Sequence, residues 1–289
     1  MKKTLFVSIT LLLVLGLASC NVFDWMEPTT DHFDRCKGLN DKGDYEAAVA
    51  ECEKADPDGV DLEVQLELAD ASLGTLGVSI SFLSDVFLEA AEGTDTILAL
   101  AESLIGAGYL NWENHADKIE YAVKAVEAID RYGTLLKSNA EYCRATYYVE
   151  NPTTECAQIA AFYSTLARVC LVSATMAYAD IGPNGNHNGK ITKAEVCNPA
   201  NAACATSTCI GVTCEGMDSD DAGIAGEALA LLVADLSSLD LPGLQEAVDE
   251  MVDIDIWVPG EGFKKIWDAA AEPYQADGGR NIIYTMARD

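Results

Sequence analysis

Basic residues are scarce in this chain: 18 Lys and Arg stand against 47 Asp and Glu, for a formal charge of −29. A field of that sign repels nucleic acid and anionic lipid headgroups, and it suits divalent cations or basic partners, with plain solubility as the simpler account. Histidine is scarcer still, with only His32, His115 and His187, and no His-Glu-x-x-His stretch occurs. Gly-x-Ser-x-Gly is missing too, and in so acidic a chain no carboxylate pair stands out as an acid/base dyad. The chain is therefore expected not to be an enzyme. No Cys-x-x-Cys pair is present, which argues against zinc ribbons and attached haem. Alternating strand patterns are nearly missing. After the first nineteen residues no uncharged apolar run reaches eighteen, so no second membrane span is expected.

What is present begins with an address. Lys2 and Lys3 form a positive start, Thr4 to Gly16 an apolar run too short for a spanning helix, and Leu17-Ala18-Ser19-Cys20 follows directly. That ending resembles the bacterial lipobox. The resemblance implies cleavage after residue 19 and acylation of Cys20, with two or three chains giving stable membrane attachment. Asn21, in place of an inner-membrane retention aspartate, implies transport to the outer membrane, and the expected orientation faces the periplasm. The reading is a signal peptide at 1–19, a lipidated tether at 20–30 and a single helical domain at 31–289.

Ten cysteines in an exported chain point to disulfides. With Cys20 acylated, nine remain, and Cys170 is the one expected free, because it lies in the apolar stretch Leu166 to Val172, where cysteine packs as a small hydrophobe. The others fall into local groups: Cys36 with Cys52, Cys143 with Cys156, and Cys197, Cys204, Cys209 and Cys214 in a polar stretch at 197–214 expected to be a stapled irregular loop.

The rest of the chain carries helical periodicity. A hairpin is expected over 31–57 with its turn at Asn40 to Asp44. Further helices are expected over 62–76, 79–91, 94–105, 114–132, 154–179, 221–236 and 244–252. In the fifth of these eight segments, Ile119, Ala122, Val123, Val126 and Ile129 form one stripe, opposite Lys118, Glu120, Lys124 and Glu127. Within the hairpin, Gly43-Asp44-Tyr45-Glu46-x-Ala48-x-x-x-Cys52-x-x-Ala55 resembles a tetratricopeptide repeat. One hairpin cannot bury its own apolar face, so the expected fold is all-α, a degenerate tetratricopeptide-like array. The implied function is that of an envelope scaffold or adaptor binding another protein. The alternative is a small-ligand or transport accessory similar to the T component of tripartite ATP-independent periplasmic transporters, which assembles as trimers around a pore.

One loop carries metal chemistry. Asn184-Gly185-Asn186-His187-Asn188-Gly189-Lys190-Ile191-Thr192-Lys193-Ala194-Glu195 resembles the EF-hand calcium loop. The resemblance makes Asn184, Asn186, Asn188, the Lys190 carbonyl and Glu195 the ligands, with Gly189 at the sharp turn. Glu195 supplies the only formal charge, so a dissociation constant of about 10⁻⁴ to 10⁻³ M is expected. The competing account is an ion-free turn whose Asn and Gly residues tolerate left-handed backbone. Gly189-Lys190 does not make a nucleotide loop, since Ile191 stands where a Ser or Thr should hold magnesium. For a second acidic group, Glu215, Asp218, Asp220 and Asp221, the expectation is that Asp220 or Asp221 caps the helix that follows, with a cation site as the alternative. Trp112, Trp257 and Trp267 are expected in the core rather than around a pocket.

Overall fold

The computed structural model describes residues 31–79, 93–182, 185–192, Glu195 and positions 228, 231 and 232. The signal and Cys20, the 79–91 helix beyond Ser79, Asn184, the 197–214 cysteines, the 215–221 carboxylates, Trp257 and Trp267 lie outside them, as do the 221–236 helix apart from those last three positions and all of 244–252. Among the described residues the regular structure is helical, and the helices are α1 (His32–Asn40), α2 (Tyr45–Ala55), α3 (Leu62–Gly74), α4 (Gly93–Gly106), α5 (His115–Ser138), α6 (Ala140–Tyr147) and α7 (Pro152–Ile181). A 3₁₀ turn, Trp112–Asn114, leads into α5.

The α1–α2 turn closes on Gly43, whose φ of +76° suits a residue without a side chain, and the Asp44 N–H donates to the Leu39 carbonyl at 3.0 Å. Cys36 and Cys52 face each other across this hairpin at disulfide distance, with Cα atoms 5.2 Å apart, and both are fully buried. On the outer side Glu51 accepts from Lys54 at 2.7 Å and from His32 at 2.8 Å. Those two bonds, Lys54 first, hold the Glu51 carboxyl down at about 2.

The link from α2 to α3 is built around Asp56, which is 7% exposed. Its carboxylate accepts from the backbone N–H of Val60 at 2.9 Å and of Asp61 at 2.8 Å, and from the Gln65 amide at 2.9 Å. Burial pushes its pKa upward, and these donors outweigh that effect, leaving it below the usual carboxylate value. Asp61 then caps α3 by accepting from Glu63 and Val64.

The helices stack in the order α1/α2, α3, α5, α7, α4. Antiparallel pairing of α5 and α7 makes the centre. His115 stacks on Tyr178 at one end, with ring centroids 4.2 Å apart, and Gly133 meets Ala160 nearer the other. A Cβ on Gly133 would lie 3.1 Å from that of Ala160, so this glycine sets how closely the two helices approach. From Ser164 to Ile181 every residue of α7 is buried. By length and composition α7 is apolar enough to cross a bilayer, but 83% of its most apolar window is buried by neighbouring helices, the position of a core helix. Ile97, Leu100, Ala101 and Leu104 present the buried face of α4, at the three- and four-residue spacing of an amphipathic helix, to this same core. Each such buried leucine or isoleucine contributes roughly 1.5–3 kcal/mol by leaving water.

At the α6–α7 junction Cys143 and Cys156 are at disulfide distance, with Cα atoms 6.2 Å apart. Tyr132 packs against them, edge-on to Tyr163, and shares a short hydrogen bond with the Tyr147 hydroxyl. Burial raises the pKa of both phenols. Cys170 is free and fully buried in α7, and burial pushes its thiol up to about 12.

Candidate functional site

The loop after α7 is organised by two carboxylates. Asp180, fully buried in the last turn of α7, accepts from the Asn188 N–H at 2.9 Å and the Gly189 N–H at 3.0 Å. Its backbone carbonyl accepts from the His187 N–H at 3.2 Å. Glu195, 4% exposed, accepts from the Asn186 N–H at 3.1 Å and from the Thr192 N–H and hydroxyl at 2.8 and 2.6 Å. Left-handed backbone at His187 and Gly189, with φ of +56° and +79°, turns these amides inward. Gly185 is required by contact rather than by torsion, since a Cβ there would lie 1.8 Å from the Asp180 carbonyl oxygen. Ile191 is fully buried and pins the loop to the core, and its N–H points to Glu102 of α4 at 3.4 Å.

Of the five residues expected to ligate an ion, Glu195 reaches the loop interior, and the Asn188 side chain accepts from the Lys190 N–H at 2.9 Å. Asn186 contributes its backbone N–H, Lys190 is exposed, and Asn184 lies outside the described residues. Asp180 and Glu102 were not legible as members of this loop: one precedes the motif by four residues, and the other belongs to a helix far away in sequence. Among the described residues no group of three or more His, Cys, Asp or Glu side chains is spaced to hold a metal ion. A donor set of amides, a carbonyl and one or two carboxylates is of a different kind.

A second feature is an open cleft of about 580 Å³ between the start of α2, the end of α3, the loop after α4 and the first turns of α5. Two tyrosines wall it, and each lies against a glycine. A Cβ on Gly74 would be 2.3 Å from the Tyr45 ring, and a Cβ on Gly77 would be 2.4 Å from the Tyr109 ring. Bare backbone at both points is what makes room for the rings. Tyr109 remains 46% exposed. Asp44, exposed at the N-cap position of α2 without capping it, is part of the cleft lining. Lys118 lies in the wall, 3.6 Å from the Glu46 carboxylate and 5.9 Å from the Tyr121 ring centroid. The cleft was not legible in the sequence, because its walls come from four separate stretches and its most telling residues are glycines.

Trp112 was expected in the core but is 52% exposed, its ring stacked on Tyr178 at 5.6 Å. The 3₁₀ turn that carries it leaves half of the side chain in solvent. Family models, curated proteins and solved structures give no match to this chain.

Proposed function

We propose that this protein is a lipid-anchored envelope adaptor that binds another protein through its helical surface. The observation that carries the reading is the open cleft walled by Tyr45 and Tyr109. Tyrosine supplies contact area at low entropic cost and is enriched where proteins dock. An accessory of the transporter T-component type calls for an enclosed apolar pore or pocket, and an open cleft with carboxylates and a lysine in its walls supports the adaptor instead. The lipobox-like Leu17 to Cys20 supports attachment to the outer membrane, facing the periplasm, with the tether at 20–30 placing the domain next to the bilayer. The repeat-like hairpin of α1 and α2, with α3 stacked on it, supports a tetratricopeptide-like array, and the stapled 197–214 loop belongs to the same reading.

Calcium is a structural accessory in this proposal. Asp180 adds a second carboxylate to the loop that Glu195 closes, and hard oxygen donors of this type suit calcium better than a softer metal. The ion would clip the loop rather than switch it.

The test is site-specific photo-crosslinking in the native envelope, with the photoreactive residue at position 109 and, as control, at the exposed position 127. A discrete protein adduct from 109 and none from 127 is the expected result. Equal adducts from both, or a tightly held small molecule with no protein adduct, would replace the adaptor reading.

A further inference from the structure

Charge and ring placement in the cleft narrow what kind of partner fits it. The whole chain carries −29, so any acidic segment approaching it meets a repulsive field. Within the cleft Lys118 is answered by Glu46 and held in the wall with its side chain only 13% exposed. Asp44 is exposed, and its side chain is not committed to the helix it precedes. Two aromatic rings, fixed in place by the missing side chains of Gly74 and Gly77, flank the same space. Ring faces attract cations through their quadrupoles, and a carboxylate beside them adds a directed acceptor for a guanidinium or ammonium group.

Resting on the adaptor reading, we infer that the cleft takes an arginine- or lysine-bearing extended segment of the partner protein, its cationic head held by Tyr45, Tyr109 and the Asp44 carboxylate. The apolar stem of such a side chain covers the Gly74–Val78 floor, while the backbone of the segment stays in the open mouth. Arginine is favoured over lysine because its planar head stacks on a ring and meets a carboxylate at once.

The probe is a fluorescein-labelled peptide of alternating glycine and arginine, titrated against the full-length chain in detergent at about 0.15 M salt, where long-range attraction is screened beyond about 8 Å. Its partner probe carries citrulline at every arginine, keeping the shape and removing the charge. Saturable binding of the arginine peptide is expected, with the citrulline peptide at least roughly tenfold weaker. Tyr109→Ser should weaken arginine binding by about 3- to 30-fold, the range of a partly desolvated cation–ring contact. Asp44→Asn should weaken it by up to about 5-fold. Glu127→Gln removes the same charge at a distant exposed site and should leave binding unchanged. Both cleft substitutions are at exposed side chains, and unchanged melting curves show that the fold is kept. Equal losses from Glu127→Gln and Asp44→Asn, no effect of Tyr109→Ser, or no saturable binding at all would each overturn the inference. A position-109 adduct that persists while the arginine peptide fails to bind leaves docking intact and the cationic chemistry refuted.

Discussion

Arg168 in α7 donates through Nη2 to both carboxylate oxygens of Asp130 in α5, at 3.0 and 2.8 Å, and Asp130 also accepts from the Ser164 hydroxyl at 3.1 Å. The arginine is 4% exposed, while the side chain of Asp130 is 46% exposed, so the pair runs from the core to the surface along the central helix pair. A buried guanidinium without its carboxylate is costly, whereas a pair replaced by apolar groups often is not.

Asp130→Ala should therefore destabilise the fold by about 2–4 kcal/mol, toward or below the lower end for buried pairs because water reaches the carboxylate. Arg168→Met with Asp130→Ala should recover most of that loss. Urea unfolding of the three chains reads both values, and a double variant no better than Asp130→Ala would reject this account of the pair.

Of the two described cysteine pairs at disulfide distance, Cys36 with Cys52 spans 16 residues and Cys143 with Cys156 spans 13, so reduction should cost nearly the same at either. Cys36→Ala with Cys52→Ala is expected to lower stability by about 3 kcal/mol in the chain-entropy model. Cys170 should resist alkylation in the native chain at pH 8 and react once denaturant is added, since its thiol is buried and held protonated. Mass spectrometry after iodoacetamide treatment checks this, and rapid native labelling of Cys170 counts against the packing described.

Acid should release the turn at Asp56. Its folded-state pKa lies below the usual 3.8, so its stabilising contribution is present above that value and is lost as pH falls through the folded pKa. Asp56→Asn should cost about 2 kcal/mol at pH 7, the scale of hydrogen bonds to a charged group. The gap between wild type and variant should narrow as pH drops below 3.8. A gap that stays constant down to pH 2.5 would remove the carboxylate from the explanation.

Millimolar calcium should raise stability by about 1 to 2 kcal/mol if it binds a submillimolar site in the folded state only. Glu195→Gln and Asp180→Asn will each weaken the loop even without calcium, because both carboxylates already accept backbone N–H groups. The informative quantity is the increment between calcium and chelator within each variant, which should vanish in both. Magnesium should produce less of a rise in wild type, as it demands tighter octahedral geometry. Scanning calorimetry without any calcium-specific increment in wild type leaves an ion-free turn.

Cys20→Ala should move the protein from the membrane fraction to the soluble one, as loss of the acyl chains removes its hold on the bilayer. Immunoblots of fractionated cells decide this, and a variant that stays membrane-bound contradicts lipid anchoring.

Periodicity made the long helices legible, and it misjudged them where one residue spoke against the pattern. The helix expected over 114–132 continues as α5 to Ser138, past Gly133, which as a sequence signal suggests an end. In the fold that glycine admits Ala160. Pro152 likewise opens α7 two residues before the expected start, because a proline at the first helical position lacks only an N–H that has no helical partner there. The eight residues of α6 are too few and too polar to show a period. Arg168 lies inside the apolar stretch Leu166 to Val172, and its pairing with Asp130 is not legible there because that partner lies in another helix. Asp180 was hidden in the same way: the spacing of the loop motif begins at Asn184, and only the folded chain brings the last turn of α7 over Asn188 and Gly189.

Thirty residues make α7 a rod of about 45 Å. Near one end Cys156 stands at disulfide distance from Cys143, and at the other Asp180 is tied to a loop by hydrogen bonds. The two fastenings obey different chemistry. A reductant frees the first and leaves the second untouched, and a substitution at Asp180 does the reverse, so the rod can be loosened from either end while its middle stays locked against α5.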